Sequence, residues 1–294
     1  EINMRQLIIL FILIGFYFLT TLTFAQVTED WVQRFTSDSI RNESINDMFV
    51  DAEGNVYVTG SQRQTSANLD IQAVTVKYNS QGVQQWIQNF IDPNNHGALC
   101  RAVHVDDAGY VYVVGDNGVY GPPYEMLVIK YSPTGTQLWS NRFTYAASTV
   151  NRGFDVITDL TGNVYVTGEY SGDAMNVILV KYDPNGGLVN QTAFNRGSEG
   201  GRRIALDGAG KIIIGGFINN DPQNTTRFLV LKYEQNLDFV WGITIGNGAP
   251  GNPYTAPPDI AIDINSNIIL TGQNELNYAT IKLGPDGVVL WTKI

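Results

Sequence analysis

The sequence predicts an all-β protein, and three observations support this fold class. A unit of about 51 residues occurs five times along the chain of 294 residues. Aromatic residues make up 11% of the chain and glycine is frequent, a composition that favours strands and tight turns over helices. Within each unit, turn-forming residues recur at the same positions between short apolar runs.

The first repeated segment of each unit predicts a hairpin between two strands. Its five copies are VDAEGNVYVTG (50–60), VDDAGYVYVVG (105–115), TDLTGNVYVTG (158–168), LDGAGKIIIGG (206–216) and IDINSNIILTG (262–272). The aspartate can accept hydrogen bonds from the backbone of the turn. The glycine that follows three residues later in four copies can adopt the positive φ that other residues avoid.

A second repeated segment predicts the third and fourth strands and the turn between them. Its copies are VTVKYNSQGVQQW, LVIKYSPTGTQLW, ILVKYDPNGGLVN, LVLKYEQNLDFVW and ATIKLGPDGVVLW, which begin at positions 74, 127, 178, 229 and 279. One lysine recurs in all five, and we expect its charge to be solvated at a strand end. A tryptophan recurs in four copies, and Asn190 replaces it in the third.

Four antiparallel strands per unit cannot bury both faces of a sheet alone, so the units must stack on one another. Radial stacking predicts a β-propeller of four-stranded antiparallel blades, since the unit is too long for one coil of a β-helix. An additional fourth-strand sequence, at residues 31–35, precedes the first unit. Either five blades close with a surplus strand, or the ring has six or seven blades and the sequence is truncated. We favour truncation.

The N-terminus predicts export from the cytoplasm. Met4 and Arg5 begin a short basic region, and the apolar run Leu7–Leu19 follows. This run is shorter than the roughly 20 residues of a membrane-spanning helix, and a small residue, Ala25, precedes Gln26. We therefore assign residues 1–25 to a signal peptide with upstream residues and 26–294 to the propeller domain. An uncleaved anchor is the alternative, and no later segment is expected to span a membrane.

The two segments together resemble the secreted bacterial β-propeller repeat, known as the SBBP repeat. The resemblance depends on D-x-x-G-N-V-Y-V-T-G, then V-K-Y-D-P-N-G, then L-W in the fourth strand, and it extends from Trp31 to Ile294. It implies a secreted or cell-surface propeller. It implies no functional residues, because the shared positions are structural.

Composition excludes several classes of function. The net charge of -10 argues against a nucleic-acid partner, which would require a basic patch. One cysteine and two histidines exclude a disulfide framework and a zinc site rich in these residues. The chain has no nucleophile elbow, phosphate-binding loop or zinc-protease motif. We predict neither a cofactor nor a metal ion.

Candidate binding residues are expected where the units differ from one another. Near the start of the predicted innermost strand, the units carry charged residues that would surround one mouth of the central channel: Asp47, Arg101, Asp155, Arg202, Arg203 and Asp259. Propellers often bind ligands on this axis, although a solvated channel rim would have the same charges. The unmatched loops at 61–69, 117–124 and 219–226 are the other candidate surface.

The sequence favours a non-enzymatic exported propeller that binds a glycan, a cell-wall polymer or a protein partner. The alternative is a polysaccharide hydrolase or lyase that uses the carboxylates Asp47, Asp155 and Asp259. Glycoside hydrolysis requires two carboxyl groups separated by about 5–10 Å, one of them with a raised pKa. A third interpretation is a structural spacer within a larger surface protein.

Overall fold

The computed structural model describes residues 30–34, 42–63, 71–92, 96–118, 122–146, 148–219, 225–250, 259–274 and 277–294. The chain divides into two compact units, Glu1–Arg34 and Phe35–Ile294. In the first unit the described residues, 30–34, form no regular secondary structure. The predicted signal peptide, 1–25, lies outside the described residues. Among the residues that are described, no helix has the length and hydropathy needed to cross a membrane.

The described residues of the second unit form twenty strands in five sheets. Blade 1 consists of β1 (Asn42–Val50), β2 (Val56–Arg63), β3 (Ile71–Tyr78) and β4 (Gln84–Phe90). Blade 2 consists of β5 (Ala98–Val105), β6 (Val111–Asn117), β7 (Glu125–Tyr131) and β8 (Gln137–Phe143). Blade 3 consists of β9 (Asn151–Thr158), β10 (Val164–Ser171), β11 (Met175–Tyr182) and β12 (Leu188–Phe194). Blade 4 consists of β13 (Ser198–Leu206), β14 (Ile212–Asn219), β15 (Thr225–Tyr233) and β16 (Phe239–Pro250). Blade 5 consists of β17 (Asp259–Ile262), β18 (Ile268–Asn274), β19 (Asn277–Leu283) and β20 (Val289–Lys293).

Each sheet is a four-stranded antiparallel meander in which neighbouring strands are consecutive in the chain. In blades 1 to 4 the first strand contacts the first strand of the next blade, so the first strands lie around a common axis. This arrangement confirms the predicted β-propeller and its five repeats. Buried apolar side chains of adjacent blades form the core, as between blades 2 and 3, where Val114 and Met126 pack with Val156 and Ile178.

The aspartate of each first hairpin holds its turn as the sequence predicts. In blade 1, Oδ1 of Asp51 accepts hydrogen bonds from the backbone N–H groups of Glu53 (3.1 Å) and Asn55 (2.8 Å). Gly54 has a φ of 79° and donates its N–H to the Asp51 carbonyl. The hydroxyl of Tyr57 donates to the second carboxylate oxygen at 3.0 Å. The turn, the first strand and the second strand are therefore held by one carboxylate.

In blades 2, 3 and 4 the repeated lysine joins adjacent blades, which differs from the solvated position expected from the sequence. Lys130 and Lys232 are only 7% and 5% exposed. Nζ of Lys130 donates to the carbonyl of Pro184 in blade 3 at 3.0 Å, and Nζ of Lys232 donates to that of Pro285 in blade 5 at 2.9 Å. Trp139 Nε1 donates to the same Pro184 carbonyl at 3.2 Å. The turn between the third and fourth strands therefore accepts hydrogen bonds from the preceding blade.

Candidate functional site

A β-bulge in the first strand determines which side chains approach the axis in blades 1 to 4. In blade 2, Cys100 pairs with Gly115 and Ala102 pairs with Val114, so Arg101 is the extra residue. A Cβ atom on Gly115 would lie 1.9 Å from the carbonyl oxygen of Leu99, so only glycine fits opposite the bulge. Gly60, Gly168 and Gly216 are equally close to the first strands of their blades.

The bulge separates the six predicted binding residues into two sets. We call the residues at one equivalent position of successive blades a column. The first column contains the residue that follows the bulge: Asp47, Ala102, Asp155 and Arg203. Asp259 belongs to the same column, because it pairs with the equivalent second-strand residue of blade 5. The bulge residue itself forms a second column, with members Asn46, Arg101, Phe154 and Arg202. The sequence alone placed all six residues in one group.

The carboxylates of the first column bind backbone groups of the next blade. Oδ2 of Asp47 accepts the N–H of Val103 at 2.9 Å, and Oδ2 of Asp155 accepts the N–H of Ile204 at 2.9 Å. Burial raises the pKa of Asp155 to about 7, although these backbone hydrogen bonds and the charge of Arg203 oppose the increase. Burial also raises the pKa of Asp47. Both carboxylates therefore connect inner strands.

Arg203 and Asp259 contact each other in the same column. Nε of Arg203 lies 3.3 Å from Oδ1 of Asp259, and the side chain of Asp259 is 76% exposed. Arg203 and Asp259 both interact electrostatically with Asp47. The structure therefore brings four of the six predicted residues close enough to one another for their charges to interact around the axis.

Arg101 and Arg202 belong to a separate network, which we name the arginine cluster: Arg101, Asp116, Arg152, Glu169 and Arg202. Nη2 of Arg101 lies 2.5 Å from Asp116 Oδ2, and Nη1 of Arg202 lies 2.7 Å from Glu169 Oε2. Arg152 lies between the two acids, 3.9 Å from Asp116 and 3.4 Å from Glu169. The network extends over blades 2, 3 and 4.

Aromatic rings enclose the arginine cluster. The guanidinium carbon of Arg202 is 3.7 Å from the centroid of the Phe154 ring, and that of Arg101 is 4.9 Å from the same centroid. Arg152 lies over Tyr124 at 5.1 Å. These distances are within the range of cation–π contacts, which are stronger where water is excluded.

Burial in the cluster is unequal, and Arg101 and Arg152 are its most exposed members, whereas Arg202 is largely buried. The side chains of Asp116 and Glu169 are 4% and 5% exposed, whereas those of Arg101 and Arg152 are 31% and 35% exposed. Burial raises the pKa of Asp116 and lowers that of Arg202. Three guanidinium groups and two carboxylates leave a net charge of +1.

The exposed arginines retain unused hydrogen-bond donors. Arg101 donates from Nε and Nη2 to Asp116, and Arg152 donates from Nη1 to Glu169. Within the described part of the chain, no hydrogen bond or ion pair uses Nη1 of Arg101 or Nη2 of Arg152. The cluster can therefore donate hydrogen bonds to an anionic group in solvent.

Four residues of this site were not predicted from the sequence: Asp116, Arg152, Phe154 and Glu169. A signal for two of them was present, because Asp116 and Glu169 directly follow the glycine that ends the first repeated segment. The equivalent residues are Ser61, Phe217 and Gln273, so this position varies in charge between blades. The bulge that pairs Arg101 with Asp116 could not be read from one sequence.

Depressions among the described residues also lie away from the arginine cluster. One, of about 660 Å³, lies near the hairpins of blades 2 and 3 and is lined by Tyr110, Lys130 and Leu160 among others. The second, of about 250 Å³, is lined by Phe194, Tyr233 and Phe239 among others, near Asn190. Asn190 itself donates from Nδ2 to the Asn236 carbonyl at 2.6 Å, which replaces the interblade bond of the missing tryptophan.

Comparison with protein-family models and with curated proteins gives no match. Solved structures of similar fold include a polysaccharide lyase of family PL25, an ulvan lyase. Its TM-score is 0.54 at 13% sequence identity, over 84% of this chain and 69% of the lyase. The same type of lyase bound to -[GlcA(1-4)Rha3S]- has a TM-score of 0.52 at 13% identity, with the same coverage of both chains. The quinohemoprotein alcohol dehydrogenase ADHIIG from Pseudomonas putida HK5 has a TM-score of 0.50 at 15% identity, over 85% of this chain and 44% of the enzyme. These similarities show the fold.

Proposed function

We propose that this protein is an exported, non-enzymatic propeller that binds an acidic glycan at the arginine cluster. The observation that carries the proposal is the convergence of three arginines on two buried carboxylates, with two guanidinium groups partly exposed. Guanidinium groups bind carboxylates and sulfates through paired hydrogen bonds, and their geometry here is held by the buried acids. The partner class is therefore a glycan with carboxylate or sulfate groups.

Apolar surface beside the cluster favours a saccharide over a small inorganic anion. Phe154 and Tyr124 flank the exposed arginines and are themselves partly exposed. Sites that combine a few placed polar groups with aromatic walls are typical of ligand recognition. A polysaccharide lyase of similar fold bound to -[GlcA(1-4)Rha3S]- makes acidic polysaccharides the first probes. Because that protein is an enzyme, its similarity favours the lyase alternative and not the non-enzymatic interpretation.

The location outside the cytoplasm is part of this proposal. It is supported by the basic and apolar N-terminal sequence and by the resemblance to the secreted SBBP repeat. A glycan or cell-wall polymer would be accessible to the protein at the cell surface or in the medium. Detection of the mature protein in the culture medium or on the envelope, with Gln26 at its N-terminus, would support this location.

The binding proposal is tested by thermal unfolding with soluble acidic and neutral polysaccharides. A ligand at one hundred times its Kd adds about 2.7 kcal/mol of stability, so Tm should rise by about 5–10 °C with an acidic polymer. We expect Arg101→Ala and Arg152→Ala to reduce the shift. Arg196→Ala serves as the control, because Arg196 is exposed and lies outside the cluster. Equal shifts for all three variants, or for a neutral polymer, would contradict the site.

A polysaccharide hydrolase or lyase that uses channel carboxylates is the second candidate function. The favouring observation is that the pKa of Asp155 is raised to about 7, within electrostatic range of Asp47 and Arg203. The backbone hydrogen bonds to both Asp155 oxygens favour a structural role instead. Incubation with the bound polymer, followed by detection of new reducing ends or unsaturated products, separates the two functions. Products absent after incubation with Asp155→Asn but present with the wild type would establish the enzyme.

A further inference from the structure

The face of blade 5 that points away from blade 4 is exposed at positions that the next blade covers in blades 1 to 4. Tyr278 is 90% exposed, whereas the residues at its position in blades 1 to 4 are 0–5% exposed: Ala73, Met126, Val177 and Phe228. Thr271 is exposed, whereas Thr59, Val114 and Thr167 are at most 1% exposed. In blades 1 to 4 the next blade covers these positions.

The interblade hydrogen bonds show what normally covers this face. In each preceding blade, lysine, tryptophan or asparagine side chains donate to turn carbonyls of the next blade. The acceptors include Pro133, Pro184, Gln235, Asn236 and Pro285. In blade 5 the equivalent donors are Lys282 and Trp291, and Trp291 is 40% exposed. Lys282 forms an ion pair with Asp263 at 2.8 Å, as Lys232 does with Asp207.

Asp259, on the inner strand of blade 5, differs from Asp47 and Asp155 in its hydrogen-bond donors. Asp47 and Asp155 each accept a backbone N–H from the inner strand of the following blade. Asp259, at the same position, accepts from its own Ile260 N–H and from Arg203. Among the described residues, no backbone N–H of another blade donates to Asp259.

On the face that a following blade would cover, blade 5 has the same residue types as blade 1. Asp259, Thr271, Thr280, Lys282 and Trp291 occupy the places of Asp47, Thr59, Thr75, Lys77 and Trp86. In blade 1 this set is covered by blade 2, with Val103 N–H on Asp47 and the Pro133 carbonyl on Trp86. The same residues in the same places require the same complementary surface.

We propose that the exposed face of blade 5 binds one more four-stranded blade of this repeat. The added blade would present an inner-strand N–H to Asp259 and a turn carbonyl to Lys282 and Trp291. The inner strand of blade 1 is also open, with Ile45 and Met48 74% and 65% exposed, whereas Cys100 and Val103 at their positions in blade 2 are buried. An added blade therefore continues the existing interface and extends the ring beyond five blades. This inference is independent of the proposed glycan site.

The test appends residues 90–143, the segment that contains blade 2, after Ile294 of the full chain. We expect slower backbone hydrogen exchange in residues 259–294 than in the parent protein, and a higher Tm. Asp259→Ala should lower the Tm of the extended chain by about 2 °C or more beyond its effect on the parent Tm. In the parent this carboxylate loses only its exposed pair with Arg203, whereas in the extended chain it also loses the backbone N–H of the added blade.

Three results would overturn the inference. The appended segment could remain sensitive to protease while exchange in residues 259–294 is unchanged. Asp259→Ala could lower both Tm values equally. The parent protein could form dimers in sedimentation velocity that Trp291→Arg dissociates, which would make a second copy the occupant of the face. A monomeric parent together with protection in the extended chain supports the added blade.

Discussion

At the residue scale, the partner of the hairpin aspartate depends on whether the second strand carries a tyrosine or an isoleucine. In blades 1 to 3 a second-strand tyrosine donates its hydroxyl to the aspartate, and the lysine lies over the tyrosine ring, as Lys77 does over Tyr57 at 5.0 Å. In blades 4 and 5 isoleucine replaces the tyrosine, and the lysine contacts the aspartate directly. The carboxylate has a polar partner in every blade.

Removal of the lysine charge should therefore matter most where no tyrosine is present. The side chains of Lys232 and Asp207 are 6% and 4% exposed, so Lys232→Met leaves a buried carboxylate without its cation. We expect a loss of about 3 kcal/mol in the free energy of unfolding, measured by urea denaturation. Lys77→Met is the matched control, because Tyr57 continues to donate to Asp51, and its cost should be below about 1 kcal/mol. Equal losses would contradict this account.

Two titratable residues on first strands, Asp155 in β9 and His104 in β5, give opposite pH dependences of stability. Burial raises the pKa of Asp155 from 3.8 to about 7, so the folded protein keeps a proton that the unfolded chain releases, and stability falls from about pH 4 to 7. Burial lowers the pKa of His104 from 6.5 to about 4, so the unfolded chain binds a proton first, and stability rises from about pH 4 to 6.5.

Substitution of either residue should leave the slope of Tm against pH that the other residue contributes. We expect the Tm of Asp155→Asn to rise between pH 4.5 and 6.5 more steeply than that of the wild type. The Tm of His104→Gln should fall over the same range relative to the wild type. Thermal melts at pH 4.5, 5.5, 6.5 and 7.5 measure both slopes. Parallel curves for the wild type and both variants would show that neither group titrates as described.

At the element scale, the glycine at the end of the repeated VYVTG sequence is explained by the bulge in the neighbouring strand. The bulge brings the first-strand carbonyl against the second strand. It also directs Arg101 and Arg202 into the arginine cluster and Phe154 against these two arginines. The same local irregularity thus determines both the repeat pattern and the candidate site. Bulges commonly change the direction of side chains next to functional sites.

Because of the bulge, we expect a single methyl group added at Gly115 to lower the free energy of unfolding strongly. Gly115→Ala would place Cβ 1.9 Å from the Leu99 carbonyl oxygen, and backbone atoms must move to relieve the overlap. We expect a loss of about 3 kcal/mol or more, measured by urea denaturation. Gly208→Ala is the control, because its Cβ would meet only the rotatable Ser266 hydroxyl at 3.0 Å, and it should cost less than about 1 kcal/mol. A tolerated Gly115→Ala would mean that the bulge is absent.

At the scale of the whole molecule, a locally cationic site lies on an anionic protein. The chain carries a net charge of -10, whereas the arginine cluster has a net charge of +1. Long-range electrostatic attraction therefore cannot account for binding of an acidic polymer. The buried carboxylates that hold the guanidinium groups in position must give the site its selectivity at short range.

This charge distribution predicts an unusual salt dependence of association. An acidic polysaccharide should associate faster as salt increases from about 10 to 150 mM, because salt screens the repulsion between two anions beyond about 10 Å. A basic binding groove would show the opposite trend. Stopped-flow or surface-binding kinetics with the polymer that raises the Tm measure this rate, and a neutral polymer serves as the control. A rate that falls with salt would contradict the short-range account.

The strand order, the turns and the stacking of blades could be predicted because the repeat samples the same local rules five times. Asp51 and Gly54 indicate their hairpin by position alone, since turn chemistry is local. The role of Lys130 was not predicted correctly, because its partner, the Pro184 carbonyl, is 54 residues away in the next blade. The charged residues near the axis could be identified because they differ between the repeats. Their division into two sets could not be predicted.

Periodicity and turn residues within each unit are sufficient to predict the all-β class, the four-stranded blade and its five copies. The folded protein is needed to see that Arg101 and Arg202 form a cluster with Asp116 and Glu169, while Asp155 binds the backbone of the next blade. The physical reason is that a one-residue bulge and the stacking of separate blades bring these groups together. The spacing of residues along one unit encodes neither the bulge nor the identity of the groups that meet when the blades stack.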